Sequence, residues 1–210
     1  MISQSYFGTD GQAILLSGEG YSSYKRKYDD RRNMVSESYY GTDGEPVLCR
    51  FGYASWEAEY DDCGNMTACS VYGTDGQPIL IKSGYASFTR GYDERGNRIE
   101  ESYYGTDGQP VLCEYGYASC KCEFDERGHL TASWHYGTDG KLILNDEGYA
   151  SWEGEYDKWG NMIMQSHYGT DGEPVISKEY GAFAIIAEYD DSGNFVAYYY
   201  FDTGGNPIEW

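Results

Sequence analysis

The sequence predicts an all-β protein, a single elongated array of about six β-hairpin repeats over residues 1–210. Three observations lead to this fold class. Two short phrases alternate at a nearly fixed period, each phrase has the residue types of a tight turn, and the segments between them alternate between apolar and polar side chains. A period of this length is typical of a solenoid or a linear array, so both a solenoid-like stack and a flat meander sheet remain open.

The two phrases define the repeat. Two aromatic or similar residues followed by Gly-Thr-Asp-Gly occur six times, at residues 5–13, 38–46, 70–78, 102–110, 134–142 and 166–174. The second phrase, Tyr-Asp-x-x-Gly-Asn or a close variant, lies between them at residues 28–33, 60–65, 92–97, 124–129, 156–161 and 189–194. A related segment at 201–207 closes the array, so about six and a half copies of a 32-residue unit cover the chain. Residues 1–5 align with residues 162–166, so the sequence starts in mid-repeat, which leaves open that it is a piece of a longer protein.

Both phrases have the chemistry of turns. The Asp of Asp-x-x-Gly-Asn can accept a hydrogen bond from the backbone two residues on, and the Gly suits a position with positive φ. This combination is typical of a β-hairpin loop of three to five residues. Thr-Asp-Gly followed by Pro is a second turn, and the Pro would open the next strand, where a missing N–H is tolerated.

The segments between the turns are predicted strands. In residues 56–60, Trp56, Ala58 and Tyr60 share one face and the two glutamates share the other, which is the alternation of a half-buried strand. Residues 66–72 form a second predicted strand of about seven residues. The segment from Pro46 to Tyr53 differs most between copies, and we expect a short strand ending in a bend and facing solvent. No segment has the pattern of a helix.

The phrases carry two family resemblances. Tyr-Asp-x-x-Gly-Asn resembles the tyrosine–aspartate repeats of RHS-type proteins, which build long β-sheets from successive hairpins. The Tyr-Tyr-Gly-Thr-Asp-Gly phrase, at this period, is similar to the aromatic hairpin repeats of bacterial cell-wall and glucan-binding modules. These resemblances imply a β-hairpin array and, from the second family, binding of a glycan or cell-wall polymer.

The tyrosines provide the candidate ligand site. In each Tyr-Tyr pair the two side chains must point to opposite faces of the sheet. The second position is nearly invariant and is predicted to form a buried aromatic ladder, with Tyr40, Tyr72, Tyr104, Tyr136 and Tyr168 as its rungs. The first position varies, and an exposed row of rings could stack on sugars or anchor a partner. The predicted ligand-binding residues are therefore Tyr6, Tyr39, Tyr103, His135, His167 and Tyr200.

Composition limits the partners. The chain has 24 Tyr and 28 Gly, and its formal net charge is −20. A duplex nucleic acid is not expected as a partner, because phosphate binding needs clustered Lys and Arg. No segment reaches the length that a membrane-spanning helix needs, so membrane insertion is not expected either. The expected partner is a glycan or cell-wall polymer, or alternatively a protein.

The six cysteines are predicted to be free thiols. Cys49 and Cys113 occupy equivalent positions two repeats apart, about 9.6 Å even at one strand spacing per repeat, which is beyond disulfide reach. Cys120 and Cys122 share one face of a strand, but Cys-x-Cys alone is a weak metal signal, because a zinc site needs four ligands. Free thiols and the absence of a signal sequence in the N-terminal residues predict a cytoplasmic protein, with the cell surface as the alternative if the sequence belongs to a longer secreted protein.

No cofactor or metal is predicted. His135 and His167 occupy the same slot in neighbouring repeats, and a metal pair there is conceivable, but aromatic packing is the simpler interpretation. The aspartates lack the Asp-x-Asp-x-Asp-Gly spacing of a calcium loop. Every candidate catalytic position is duplicated, so an enzyme is not expected. The sequence thus favours a non-enzymatic module that binds carbohydrate or cell-wall polymer, with a protein-interaction or structural spacer repeat in a larger bacterial protein as the alternative.

Overall fold

The polypeptide forms strands throughout. The computed structural model describes residues 1–209, and no helix occurs in that part of the chain. The thirteen strands are β1 (Ile2–Ser5), β2 (Ser23–Tyr28), β3 (Met34–Tyr40), β4 (Ser55–Tyr60), β5 (Met66–Tyr72), β6 (Ser87–Tyr92), β7 (Arg98–Tyr104), β8 (Ser119–Phe124), β9 (Leu130–Tyr136), β10 (Ser151–Tyr156), β11 (Met162–Tyr168), β12 (Ala184–Tyr189) and β13 (Phe195–Phe201). The described residues therefore contain no helix that could cross a membrane.

The strands lie in one sheet in the order of the chain, from β1 to β13. Strands β4 and β5, for example, are antiparallel and pair from Ser55 opposite Tyr72 to Glu59 opposite Ala68. This order is that of a meander. The predicted all-β fold is confirmed, and of the solenoid-like stack and the meander sheet that the sequence left open, the structure has the meander. By the density of internal contacts the chain divides into two units, residues 1–91 with 102–114, and residues 92–101 with the chain from 115 onward.

The hairpin turns have the predicted chemistry. In the turn between β4 and β5, Asp61 Oδ1 accepts hydrogen bonds from the N–H groups of Cys63 and Asn65, and Asn65 Nδ2 donates to Asp61 Oδ2. Gly64 has a φ of 86°, where a side chain would be strained. The pairing slips by one residue between Glu59 and Tyr60, which makes a bulge at the end of the hairpin.

The conformation of the Gly-Thr-Asp-Gly turn is likewise fixed by hydrogen bonds and by its two glycines. Gly41 N–H donates to Glu45 O at 2.8 Å, and Asp43 Oδ1 accepts from the N–H of Glu45 at 3.0 Å. A Cβ on Gly41 would lie 2.9 Å from Asp43 Oδ1 and 3.0 Å from a methyl group of Val47, while Gly44 has a φ of 82°. The first glycine is needed for space and the second for conformation, which is why the phrase recurs in each repeat.

The segment after this turn differs from the prediction. It is not a strand: Pro46 makes an isolated bridge with Tyr40, and the chain then folds into a turn in which Cys49 N–H donates to Tyr53 O at 2.8 Å. Nor does all of it face solvent, since Leu48 is 45% exposed but Cys49 only 6%. The turn returns the chain over one face of the sheet, where Val47 and Tyr53 pack against the buried cluster of Tyr24, Tyr39 and Cys49.

Candidate functional site

One face of the sheet carries a column of aromatic rings that come alternately from strands and loops. In the first unit the ring of Tyr39, at the end of β3, lies 4.8 Å from Tyr21 and 6.1 Å from Tyr53, centroid to centroid. Tyr6 continues the series at 6.3 Å from Tyr21. We call this set the ring column; its members are Tyr6, Tyr21, Tyr39, Tyr53, Tyr85 and Tyr103 in the first unit and Tyr117, His135, Tyr149, His167 and Tyr180 in the second.

The second unit builds its part of the column from tyrosine and histidine. His135 stacks on Tyr117 at 4.6 Å with an interplanar angle of 22°, and Tyr149 lies 5.6 Å from it on the other side. His167 follows at 4.7 Å from Tyr149. Ring pairs at such distances contribute about 0.5–1.5 kcal/mol each beyond the burial of their area. The column is therefore a stabilising feature in both units.

The predicted exposure of the variable slot is wrong. Tyr39 is 7% exposed, Tyr103 and His135 are 6% exposed, and His167 has no exposed surface. The loop that follows each Gly-Thr-Asp-Gly turn covers this face, a closure that the alternation of side chains along a strand could not reveal. The structure brings Tyr6, Tyr39, Tyr103, His135 and His167 into the ring column, where they contact other rings.

The invariant tyrosines lie on the face of the sheet opposite the ring column. Tyr40, Tyr72, Tyr104, Tyr136 and Tyr168 are only partly buried, so the prediction that they form the buried ladder is wrong as well. They lie on the uncovered side of the sheet, which we call the open face. Tyr72 lines a shallow depression there together with Glu57 and Glu59, and Tyr168 lines a similar one with Glu153 and Glu155.

Tyr200 differs from the other predicted site residues. It is partly buried and lines a groove with apolar walls together with Tyr180, Tyr198 and Met164. Strand β13, which carries Tyr200, keeps Phe195 and Tyr198 about half exposed, at 51% and 54%. Of the predicted ligand-binding residues, Tyr200 lines this groove.

A buried polar network next to the column was not predicted. Glu37 is 6% exposed and accepts hydrogen bonds from Tyr39 Oη at 2.9 Å and Arg26 Nε at 2.8 Å. The Arg26 guanidinium lies 4.1 Å above the ring of Tyr24, whose hydroxyl donates to Gln4 Oε1 at 2.7 Å. Burial is the main reason why the pKa of Tyr39 is raised above its ordinary value, with the bond to Glu37 adding to it. The sequence does contain a signal for this network, because Arg26 and Glu37 occupy the slots that hold Ala58 and Cys69 in the next repeat.

The two column histidines are separated by a tyrosine. Tyr149 lies between their rings, so the structure does not bring His135 and His167 together as a metal pair. His167 is fixed by Nδ1, 2.9 Å from Phe183 O, and by Nε2, 2.9 Å from Gln165 Nε2, so Nδ1 carries the proton. His135 is buried, with Nε2 3.5 Å from Ser133 Oγ, and a hydrogen bond with the backbone of Tyr149 opposes part of the fall of its pKa. Burial lowers the pKa of His167 and lowers that of His135 to about 4, so both rings are neutral near pH 7.

The thiols and carboxylates are largely accounted for by packing and turns. None of the six cysteines, which all lie within residues 1–209, forms a disulfide bond. No group of three or more His, Cys, Asp or Glu side chains within residues 1–209 has the arrangement to hold a metal ion. In the turn at 124–129, His129 replaces the usual Asn, and its Nδ1 lies 2.8 Å from Asp125 Oδ2. Hydrogen bonds from the backbone and side chain of His129 lower the pKa of Asp125 to about 2.

Comparisons with known proteins give weak structural matches and no family. No protein-family model and no curated protein matches the sequence. Among solved structures, the holotoxin pore of the Photorhabdus luminescens Tc toxin is similar over 89% of this chain and 9% of that chain, with 11% identity and a TM-score of 0.36. The crystal structure of TcdB2-TccC3-TEV is similar over 91% of this chain and 11% of that chain, with 11% identity and a TM-score of 0.26. The chain thus spans about a tenth of either match. By its own strands and turns, this protein is a β-hairpin repeat protein.

Proposed function

We propose that this chain is a non-enzymatic structural module, whose repeats hold one another in register and act as a spacer. The observation that carries the proposal is the ring column. The aromatic slots that vary between repeats, which a binding module would present to a ligand, are buried against the neighbouring rings. Their side chains contribute to cohesion between repeats.

Hydrogen bonds between repeats support the same function. At the loop ends, Arg50 N–H donates to Glu19 O at 2.9 Å and Lys178 N–H donates to Glu147 O at 2.8 Å. At the hairpin ends, the hydroxyl of Tyr60 donates to Met34 O at 3.0 Å, about one repeat back. The tyrosine of the Tyr-Asp phrase therefore joins its own hairpin to the preceding one. Cohesion of this kind makes stability a sum of units and nearest-neighbour contacts.

Removal of one whole repeat tests the proposal. Deletion of residues 73–104 joins Tyr72 to Gly105 and recreates the Tyr-Gly junction found in each repeat. We expect the shortened protein to remain β-rich by circular dichroism and to melt cooperatively at a lower temperature. Deletion of residues 57–88 is the control. It also removes 32 residues and so keeps the period, although its boundaries lie within β4 and β6, and we expect this protein to fold as well. Unfolding of both proteins would contradict the proposal.

Glycan binding remains a second candidate, now on the open face. The observation that favours it is the position of Tyr72 and Tyr168, which line shallow depressions beside pairs of glutamates. Rigid rings flanked by polar groups can stack on sugars and accept hydrogen bonds from them.

A glycan and cell-wall polymer array distinguishes the two functions. If the open face binds, Tyr72→Ala and Tyr168→Ala weaken binding to the polymer that the unaltered protein retains, whereas Ile14→Ala on an exposed loop does not. If the chain is a spacer alone, the unaltered protein is retained by no polymer. Binding that survives both tyrosine substitutions would place the ligand elsewhere and exclude this second candidate.

A further inference from the structure

Strand β13 has an outer edge without a neighbouring strand. It pairs with β12 on one side, and no strand of residues 1–209 pairs with its other side. On the β12 side, Phe183 N–H donates to Phe201 O at 2.8 Å. Backbone groups alternate in direction along a strand, so the N–H and C=O of Tyr198, three residues before Phe201, point to the outer edge.

The equivalent edge is paired in the interior of the sheet. In β3, which corresponds to β13 in an earlier repeat, Glu37 lies opposite Trp56 of β4, and Tyr39 N–H donates to Ala54 O at 2.9 Å. Strand β5 pairs with β6 in the same register. The outer edge of β13 is therefore one half of the contact that joins neighbouring repeats, and its backbone groups are placed to bond an antiparallel strand.

The side chains of β13 are more apolar than those of the equivalent strands. Tyr198 occupies the slot of the buried Glu37 and Glu101, yet it is 54% exposed. Phe195 and Val196 are also about half exposed. None of residues 195–201 is charged and none is a proline. Soluble proteins usually protect an open edge with charges or proline, and a terminal repeat normally has a polar outer face, so this composition is typical of an edge that a partner covers.

We propose that the outer edge of β13 pairs with the same edge of a second copy of this chain. In the described residues β1 and β13 are the strands at the two edges of the sheet, so a second copy can add a strand through one of these. Strand β1 has four residues, of which three are polar, whereas β13 has seven and is apolar. An edge that is paired in this way explains why aromatic side chains replace the polar ones of the interior strands.

The symmetry of the pairing makes the assembly a closed dimer. Two copies of β13 can run antiparallel about a two-fold axis normal to the sheet, which is the strand direction found at each interior junction. This axis keeps the Tyr198 side chains of both copies on the same face. Because the same edge is used by both copies, no further copy can add at the contact.

Charge determines how the dimer responds to salt. Each copy has a formal net charge of −20, so two copies repel each other at long range, whereas the paired strands carry no charge. Salt screens the repulsion and leaves the backbone hydrogen bonds and ring contacts largely unaffected. The dimer should therefore become tighter as NaCl is raised, which is the opposite of the response expected from a contact built of salt bridges.

Sedimentation velocity of the full chain over a range of concentrations tests the proposal. We expect a reversible change from the 23.7 kDa of one chain to twice that mass, with a lower dissociation constant at high NaCl than at low NaCl. Tyr198→Lys places like charges opposite each other in the paired strands and should raise the dissociation constant by about 100-fold. Gln4→Lys is the matched control, because Gln4 occupies the equivalent slot of β1, and this variant should dimerise as the unaltered protein does.

Hydrogen exchange identifies the edge that pairs. The amide of Tyr198 should exchange more slowly at concentrations at which the dimer forms, and this measurement on the unaltered protein decides the question even if melting curves show Tyr198→Lys to be unfolded. A monomer at all concentrations, which would leave the edge to a strand of a different protein, would overturn the proposal. So would species that grow beyond a dimer, undiminished dimerisation of folded Tyr198→Lys, loss of the dimer in Gln4→Lys, weakening of the dimer by salt, or exchange at Tyr198 that does not depend on concentration.

Discussion

Arg32 is the one residue other than glycine with a positive φ in residues 1–209, at 71°. It occupies the position that Gly64 takes in the next turn, and its N–H donates to Asp29 O as that of Gly64 donates to Asp61 O. The left-handed conformation costs a residue with a Cβ about 1–2 kcal/mol. We expect Arg32→Gly to raise the free energy of unfolding by about 1 kcal/mol, measured by urea denaturation. Gly64→Arg is the matched control and should lower it by a similar amount; equal stability of both variants with the unaltered protein would contradict the strain.

His135 should make the protein sensitive to acid. Its pKa is lowered to about 4 when folded and returns to about 6.5 when unfolded, so the unfolded chain takes up the proton first. Its contribution is complete above pH 6.5 and is lost as the pH falls toward 4, by about 3 kcal/mol in total. His135→Tyr introduces the residue type found at the equivalent positions of other repeats, Tyr39 and Tyr103. The difference between the two stability–pH profiles, measured by denaturation at each pH, isolates this ring from the turn carboxylates. Parallel profiles would show that the ring does not titrate in this range.

At the scale of the strand, the two adjacent tyrosines of each phrase have different energetic roles. Tyr39 packs in the ring column at 7% exposure, whereas Tyr40 on the open face is partly buried with Lys25 Nζ 4.5 Å above its ring. Truncation of a buried aromatic ring costs about 3–5 kcal/mol, and truncation of a partly exposed one costs less. We therefore expect Tyr39→Ala to lower the melting temperature more than Tyr40→Ala does, by calorimetry. The reverse order would mean that the loop does not protect the covered face in solution.

At the scale of the whole molecule, the strands and turns were predictable from the sequence, whereas the face of the sheet that the loops cover was not. The strand over residues 66–72 and the positive φ of the turn glycines follow from alternation and turn residues, and the structure has both. Which face is covered depends on the segment after Pro46, whose sequence varies and has no period. The invariance of Tyr40 predicts burial, but the variable Tyr39 is the more tightly packed of the two. The Arg26–Glu37 pair and the Cys120–His135 pairing depend on the strand register, which the sequence left open.

The loop-to-loop hydrogen bonds have a consequence for the timescale on which the repeats separate. Arg50, Asp146 and Lys178 lie on exposed loops, yet each backbone N–H donates to a carbonyl of the preceding loop. Exposed amides normally exchange with deuterium quickly, but these three can exchange only when neighbouring loops part. Slow exchange at these sites would therefore report the rate and free energy of opening between repeats, one junction at a time. The amide of Thr42, an exposed turn residue, gives the fast reference, and equal rates would show that the loops separate freely.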